Sequence, residues 1–268
     1  MVRRYGYLED FINKLRSNGR YAFSLREVRS QFEQSDEAIK KALQRLKKKK
    51  EIALIRNELY VIITPEYRSK GILPPSLFIA DLMKFLRKDY YVGLLNAAAY
   101  YGAAHQQPQS FSVITMKPSL RNINNDNLKI NFYIKKEWNK LDIVRKKVDT
   151  GYINVSSAEL TALDLIYYFD QAGGLNRVAT VLEELSETID VHKLLDLAKR
   201  YSPITTVQRL GFLLEEILGM RGLSDPIKDY LRTVNYFPVL LRPQKEKPEM
   251  ITGNDWKVVQ NIEIETDL

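Results

Sequence analysis

A sharp division of charge constrains this chain more than any other feature of its sequence. Residues 1–70 carry 17 Lys and Arg against 9 Asp and Glu, whereas residues 71–268 carry 24 of each. The net charge of +8 therefore comes entirely from the first quarter of the chain. A locally basic segment with a helical pattern is typical of a phosphate-binding surface. The sequence consequently predicts a small basic domain, residues 1–70, followed by a larger neutral domain, residues 71–268.

The composition is that of a globular protein of a reducing compartment. At 268 residues, 45% of them hydrophobic, the chain is long enough to bury a sizeable core. It contains no Cys, which excludes disulfides and thiolate-based metal or redox sites and favours a cytoplasmic location. The start of the chain lacks the apolar core of a signal peptide, and no run reaches about 18 uncharged apolar residues. We therefore expect a cytoplasmic protein with no membrane partner.

Apolar spacing, capping residues and turn signals give the order of elements in the basic segment. They predict a helix over 7–17, a short strand over 21–23, a helix that begins at the capping box Ser24–Glu27, a third helix over 36–49 capped by Ser35, and two strands, 52–56 and 59–64, around Asn57-Glu58. This is the order of a winged helix-turn-helix. In that design the third helix enters the DNA major groove and the hairpin, or wing, touches the backbone beside it.

The third predicted helix is amphipathic, with a polar face suited to DNA. Its apolar stripe consists of Ile39, Ala42, Leu43 and Leu46, and a turn of 100° per residue places Glu37, Lys41, Gln44 and Lys48 on the opposite side. The run Lys47–Lys50 has a plainer explanation, a solvated helix end stabilised by the helix dipole, but the flanking pattern favours DNA binding. The candidate DNA-contacting residues are Ser35, Glu37, Lys40, Lys41, Gln44, Arg45, Lys48 and Arg56.

The remainder of the chain has mixed α and β signals after a Pro- and Gly-containing linker at 65–75. Periodicity predicts helices over 76–86, 90–104, 158–169, 175–185, 191–201, 205–218 and 227–233, and strands over 111–116, 128–135, 152–155, 237–241 and 256–265. The predicted fold class is therefore α+β: an N-terminal winged helix-turn-helix followed by a larger mixed α/β C-terminal domain.

Signals of catalysis are sparse. The chain has two histidines, His105 and His192, and none of the glycine-rich phosphate-loop, dinucleotide or serine-hydrolase motifs. The adjacent carboxylates Glu183-Glu184 and Glu215-Glu216 diverge by about 100° on their helices, so we expect them on solvated faces rather than in a shared site. We expect no enzymatic activity, no catalytic residue, no metal site and no cofactor.

A further group of basic residues stays ambiguous from sequence alone. It consists of Lys135, Lys136, Arg145, Lys146 and Lys147. Either these residues extend a DNA-facing surface into the second domain, or they are exposed ends of strands and turns. The sequence does not distinguish the two.

Several segments resemble the AbiEi family, the antitoxins of type IV (AbiE) toxin–antitoxin pairs. The resemblance is carried by Tyr90-Tyr91-Val92-Gly93-Leu94-Leu95-Asn96-Ala97-Ala98-Ala99, by residues 102–108, and later by residues 155–164, Val207-Gln208-Arg209-Leu210-Gly211, Trp256, Asn261 and Glu263. Many members have Ser where this chain has Asn96. The motifs consist mostly of small or apolar residues, so they indicate a family more specifically than a mechanism.

The resemblance implies a role in abortive infection and phage defence. It implies an N-terminal winged helix that represses its own operon through double-stranded operator DNA, with inverted repeats as the expected operator form. It also implies a C-terminal domain that opposes a nucleotidyltransferase-like toxin without forming a stable complex with it. The alternative is a winged-helix transcriptional regulator whose C-terminal domain senses a ligand or a protein and has no toxin partner.

Overall fold

The computed structural model describes residues 6–103, 108–125, 127–243 and 253–266. Its first elements are α1 (Tyr7–Ser17), β1 (Ala22–Ser24), α2 (Leu25–Gln31), α3 (Asp36–Lys48), β2 (Ile52–Arg56) and β3 (Leu59–Ile62). The strands form an antiparallel sheet in the order β1-β3-β2. The order of elements predicted for the basic segment is therefore present, with bounds within about two residues of the prediction.

A single apolar cluster holds these elements together. The three helices contribute Leu8, Phe11, Val28, Ile39 and Leu43, all of which are buried. Because these residues recur at three- and four-residue intervals, each helix buries one face and leaves the other to solvent. The basic segment therefore has its own core, and its charge lies outside that core.

The capping residues explain where the second and third helices begin. The Ser24 hydroxyl accepts a hydrogen bond from the Glu27 backbone N–H at 3.1 Å, which satisfies one free donor of the first turn. The Glu27 carboxylate binds the Arg20 guanidinium, at 2.6 Å for one of the two contacts. The Ser35 hydroxyl caps α3 by accepting from the Ala38 N–H at 3.3 Å.

The middle of the chain contains more strands than its sequence predicts. Its elements are 3₁₀ turns at Pro65–Tyr67 and Pro75–Leu77, followed by α4 (Ile79–Leu86), β4 (Tyr90–Val92), α5 (Leu94–Ala99), β5 (Phe111–Thr115), β6 (Ile123–Asn125), β7 (Leu128–Ile134), a 3₁₀ turn at Lys140–Asp142, β8 (Ile143–Val148) and β9 (Gly151–Ser156). The helix predicted over 90–104 is wrong in its first part, which forms β4. A fully buried strand has no alternation, so periodicity does not separate it from a buried helix.

These strands form a six-stranded mixed sheet in the order β6-β7-β5-β4-β9-β8. β5 and β7 run parallel, with Val113 beside Phe132, and β6 pairs with β7 antiparallel, with Ile123 opposite Ile130. β4 pairs parallel with β9 through Val92 and Val155. The strands β6 and β8 were not predicted, because both are polar: β6 has two exposed asparagines, and β8 carries Arg145-Lys146-Lys147.

The last part of the chain is mainly helical. It contains α6 (Ala158–Tyr167), α7 (Leu175–Ser186), α8 (Val191–Tyr201), α9 (Ile204–Phe212), a π-helical turn (Leu213–Ile217), α10 (Arg221–Arg232), β10 (Val239–Leu240) and β11 (Val258–Val259). The helix predicted over 205–218 is thus interrupted by the π turn, and the strand predicted over 256–265 contracts to two residues that pair parallel with β10. No helix in the described ranges is long and apolar enough to cross a membrane.

A buried tryptophan of the C-terminal segment packs against α9. Trp256 is fully buried, and a Cβ added to Gly211 would lie 1.9 Å from its ring. The Gln208 side-chain amide donates to the Trp256 carbonyl at 2.8 Å. Two sequence segments that were singled out separately, 207–211 and Trp256, are therefore one contact in the fold.

The chain divides into two compact units that interleave along the sequence. The first contains Met1–Tyr91, Gln109–Lys136 and Arg145–Asn154, and the second contains Val92–Pro108, Glu137–Val144 and Val155–Leu268. Residues 71–91 thus belong to the same compact unit as residues 1–70. The assignment of separate functions to residues 1–70 and 71–268 stays a prediction.

Candidate nucleic-acid interface

The third helix presents a buried face and a charged, exposed one. Ile39, Ala42, Leu43 and Leu46 are buried. Every polar residue that the sequence proposed for DNA contact on or before this helix is exposed, namely Ser35, Glu37, Lys40, Lys41, Gln44, Arg45 and Lys48. The face that periodicity predicted is therefore available for a ligand, and its contact with DNA stays a prediction.

Ion pairs occupy the first half of this face. Lys41 Nζ lies 2.7 Å from Glu37 Oε1, and Lys40 Nζ lies 3.2 Å from Asp36 Oδ2. The Lys41 and Glu37 side chains are 71% and 77% exposed, so their pair is worth at most about 1 kcal/mol and exchanges readily for a contact with a ligand. Within the described part of the chain, the side chains of Gln44 and Lys48 make no hydrogen bond or ion pair. They are the groups of the helix freest to engage a ligand.

Arg29 joins three elements of the basic segment, which the sequence did not reveal. Its guanidinium, on α2, donates to both carboxylate oxygens of Asp36 at the start of α3, at 2.6 and 2.8 Å. It also lies 3.4 Å from Glu58 at the turn between β2 and β3. Bidentate Arg–carboxylate pairs fix orientation as well as distance. Arg29 therefore connects α3 with both α2 and the hairpin.

The same contacts shift the titration of Asp36. Hydrogen bonds from Arg29 first, and from Lys40 second, hold the pKa of the Asp36 carboxyl below its usual value. Asp36 is consequently charged at neutral pH, and the network is complete there.

The wing candidate, Arg56, is partly engaged. Its Nη1 donates to the Arg121 carbonyl at 3.0 Å, and its side chain is half-buried. An arginine has five donors, so one such bond leaves others for a phosphate. Arg121 itself is exposed next to this contact and adds a second positive charge at the wing.

The basic residues left ambiguous by the sequence lie on two different strands. Arg145, Lys146 and Lys147 are on β8, an edge strand, where Arg145 stacks over the Tyr152 ring at 4.6 Å. Lys135 and Lys136 follow the end of β7. Both groups lie at strand positions or strand ends, and whether they contact DNA stays open.

Two expectations about charged residues outside the basic segment have different outcomes. Glu215, predicted on a solvated face, is instead half-buried and paired: it accepts from Trp256 Nε1 at 3.0 Å and binds Lys228 Nζ at 2.6 Å. Its neighbour Glu216 is exposed, as expected. The π turn rotates Glu215 inward, and helical periodicity does not anticipate such a turn.

Among the described residues, no group of three or more His, Cys, Asp and Glu side chains is placed to hold a metal ion. His105 lies outside the described residues.

Comparison with solved structures shows a likeness over nearly the full length of the chain. The crystal structure of the RV2827C protein from Mycobacterium tuberculosis superposes with a TM-score of 0.67 over 97% of this chain and 93% of that chain, at 12% sequence identity. At this identity the likeness establishes a common fold. A search of the curated proteins finds no match.

Comparison with protein families finds a match in the second part of the chain. Residues 91–216 match the family model described as the AbiEi antitoxin C-terminal domain. The matched range includes β4, α5 and the helices up to the π turn, and so contains most of the segments on which the resemblance was based. The AbiEi family is a family of antitoxins and not of enzymes. Residues 91–216 are therefore similar to the AbiEi antitoxin C-terminal domain, which confirms the resemblance to that antitoxin family.

Proposed function

We propose that this protein is the antitoxin of a type IV toxin–antitoxin system and a cytoplasmic DNA-binding repressor of its own operon. Residues 1–70 act as a winged helix-turn-helix that binds an operator with inverted repeats. Residues 71–268 counteract a nucleotidyltransferase-like toxin without a stable complex. The antitoxin domain over residues 91–216 supports the antitoxin role.

One observation carries the repressor part of the proposal, namely the exposed face of α3. A helix that buries Ile39, Leu43 and Leu46 against its own domain and shows Gln44, Arg45 and Lys48 to solvent has the form of a recognition helix. The N-terminal half of such a helix reaches base edges, and cations farther along meet the phosphates. Glu37, Lys41 and Gln44 are thus assigned to base readout, Lys40, Arg45 and Lys48 to the backbone, and Arg56 to the wing contact.

A binding titration on the promoter of the operon tests this assignment. The full-length protein should bind operator DNA with a logarithm of affinity that falls against the logarithm of salt concentration, at a slope of about −4 per bound domain. The double charge reversal Lys41→Glu with Arg45→Glu should abolish binding. The matched control is Lys199→Glu with Lys140→Glu, which changes charge equally at two exposed sites outside the basic segment. A flat salt response of the unaltered protein contradicts the proposal.

A growth assay tests the antitoxin part separately. The protein and the adjacent gene are expressed from unrelated promoters, so that repression has no influence on toxin level. The unaltered chain should restore growth, and so should the Lys41/Arg45 double variant. Loss of rescue in that variant, with its circular dichroism unchanged, would show that neutralisation itself depends on DNA binding.

A further inference from the structure

A cavity of about 620 Å³ lies within the second compact unit, far along the sequence from the basic segment. It is bounded by the end of α10, the turn at 236–238 and residues 254–257. Ligand sites in proteins have volumes of about 300 to 1,000 Å³. The size of the cavity is therefore that of a small organic ligand, and the side chains on its wall decide which one.

A largely solvent-shielded ion pair holds Lys228, one of the residues that line the cavity. Lys228 and Glu215 side chains are 13% and 12% exposed, and Glu215 also accepts from the Trp256 indole. Glu215 reaches this position because the chain forms a π turn there, and π turns recur at functional sites. The lysine on the cavity wall is thus held in one place before any ligand arrives.

Lys257, another residue that lines the cavity, has an irregular backbone conformation. Lys257 has a φ of 51°, which non-glycine residues rarely adopt. This conformation places its Nζ 4.2 Å from the centre of the Tyr236 ring, where it donates to the Tyr236 carbonyl at 3.2 Å. A residue in a rarely populated φ/ψ region raises the free energy of the folded chain, and such residues are found preferentially at ligand-binding and active sites.

Cations outnumber carboxylates among the side chains that line the cavity. The wall carries three cations, Lys228, Arg232 and Lys257, against one carboxylate, Asp255. Asp255 lies 3.7 Å from Lys228 and 3.8 Å from Arg232, so it contacts both cations loosely. Glu215 and Asp229, which do not line the cavity, pair with Lys228 and, at 3.1 Å, with Arg232. The Arg232–Asp229 pair is exposed and exchanges readily, so Arg232 and Lys257 are the two cations that an entering anion can engage.

An aromatic ring next to these cations is left uncovered. Phe237 is 78% exposed, although the average phenylalanine is buried. A planar ring stacked on Phe237 would remove apolar surface of this side chain from water. Base–aromatic stacking stabilises bound nucleotides in this way. Phe237 and the two cations line the same cavity.

We propose that this cavity binds a nucleoside phosphate, with the base stacked on Phe237 and the phosphate held by Arg232 and Lys257. The phosphate takes the place that Asp255 fills loosely in the unliganded protein. The site is independent of the DNA-binding face of α3, and a nucleotide bound there stabilises the contact between α10 and the C-terminal segment around Trp256. A free nucleotide and the end of a nucleic-acid strand offer the same chemistry, and the test below distinguishes them.

Isothermal titration of the full-length protein tests the site. The probes are AMP, UMP, ATP and UTP, with adenosine, uridine, inorganic phosphate and a 5′-phosphorylated tetranucleotide as comparisons. We expect binding of nucleoside phosphates with a Kd below about 1 mM. The nucleosides and inorganic phosphate alone should bind at least about tenfold more weakly, because each makes only half of the contacts. Binding of the tetranucleotide and of none of the free nucleotides would identify a strand end as the natural source.

Matched variants locate the binding. Phe237→Ala and Arg232→Ala should each weaken nucleotide binding by about tenfold. Arg221→Ala, on an exposed residue of the same helix, and Tyr167→Ala, on an exposed ring outside the cavity, should leave it unchanged. Thermal melting confirms that each variant is folded. The proposal is overturned if no nucleotide or tetranucleotide binds, if binding survives both cavity variants, or if inorganic phosphate binds as well as the nucleotides do.

Discussion

Lysine–glutamate ion pairs occur both on α3 and beside Trp256, but the two pairs differ in their exposure to solvent. On α3, Lys41 and Glu37 meet in solvent, and their pair can exchange for a ligand at little cost. Near Trp256, the Lys228 and Glu215 side chains are only 13% and 12% exposed, so removing one partner leaves the other charged in a poorly solvated position. Exposure rather than chemistry thus distinguishes the ion pairs of α3 from the pair beside Trp256. Four predictions test this difference.

The largest effect should come from the glycine under Trp256. In Gly211→Ala, the new methyl group would lie within about 2.3 Å of three ring atoms of a fully buried side chain, so the ring or the helix must move. Overpacking of this kind costs about 3 kcal/mol or more in the free energy of unfolding, measured by urea denaturation. Gly222→Ala is the control, because it is also helical and its Cβ would meet open space. Equal stability of the two variants would contradict the close contact between Gly211 and the Trp256 ring.

The second prediction compares the two ion pairs directly. Lys228→Met leaves the poorly solvated Glu215 carboxylate with the Trp256 indole N–H as its one donor among the described residues, and should cost about 3 kcal/mol of unfolding free energy. Lys41→Met removes a lysine from an exposed pair and should change stability by less than about 0.5 kcal/mol. Denaturation of both variants in parallel gives the difference. If the two costs agree within error, exposure does not distinguish the two regions.

The third prediction divides the face of α3 into readout and positioning. Gln44→Ala should weaken binding to the operator by about 2 kcal/mol and binding to random DNA little, because an amide that contacts a base edge carries sequence information. Lys48→Ala should weaken both alike and reduce the salt slope by about one unit. Fluorescence anisotropy on the two DNAs measures both effects. Identical behaviour of the variants would show that the helix meets DNA in another orientation.

The smallest effect concerns the pH response of the Arg29 network. Because Arg29 and Lys40 lower the pKa of Asp36 in the folded protein, the network stabilises the fold above the unfolded pKa of about 3.9 and loses this contribution as the pH falls through the folded value. In Arg29→Ala the pKa of Asp36 should rise toward 3.9, as followed by carboxyl NMR titration. Arg26→Ala, on an exposed arginine of the same helix, should leave it unchanged. An unchanged Asp36 pKa in Arg29→Ala would contradict the ion pair between Arg29 on α2 and Asp36 on α3.

The basic segment was predictable because its signals are local. Ser24 and Ser35 cap helices that begin at the next residue, and the turn at Asn57-Glu58 lies where the sequence placed it. Amphipathic periodicity also assigned Gln44 and Lys48 to the exposed face. In a small domain with one core, each helix has one side to bury, so the pattern of apolar residues determines orientation.

The second part of the chain was less predictable because its elements are buried on several sides. Tyr90-Tyr91-Val92 lacks the alternation of a half-buried strand, and its predicted helix was wrong. Arg145-Lys146-Lys147 is too polar to indicate a strand, yet it forms half of β8 at the sheet edge. In both cases the neighbouring strands supply the hydrogen bonds that stabilise the conformation, and their positions are not encoded locally.

By itself, the sequence determined the charge division, the order of elements in the basic segment, the polar face of α3 and the resemblance to an antitoxin family. Each of these depends on residues close together in the chain. Only the tertiary structure decided that Arg29 joins α2, α3 and the hairpin, that Glu215 pairs with Lys228, and that Gly211 lies under Trp256. These contacts join residues separated by 7 to 45 positions, and their energies depend on burial and exact distance. Such quantities exist only once the chain has folded.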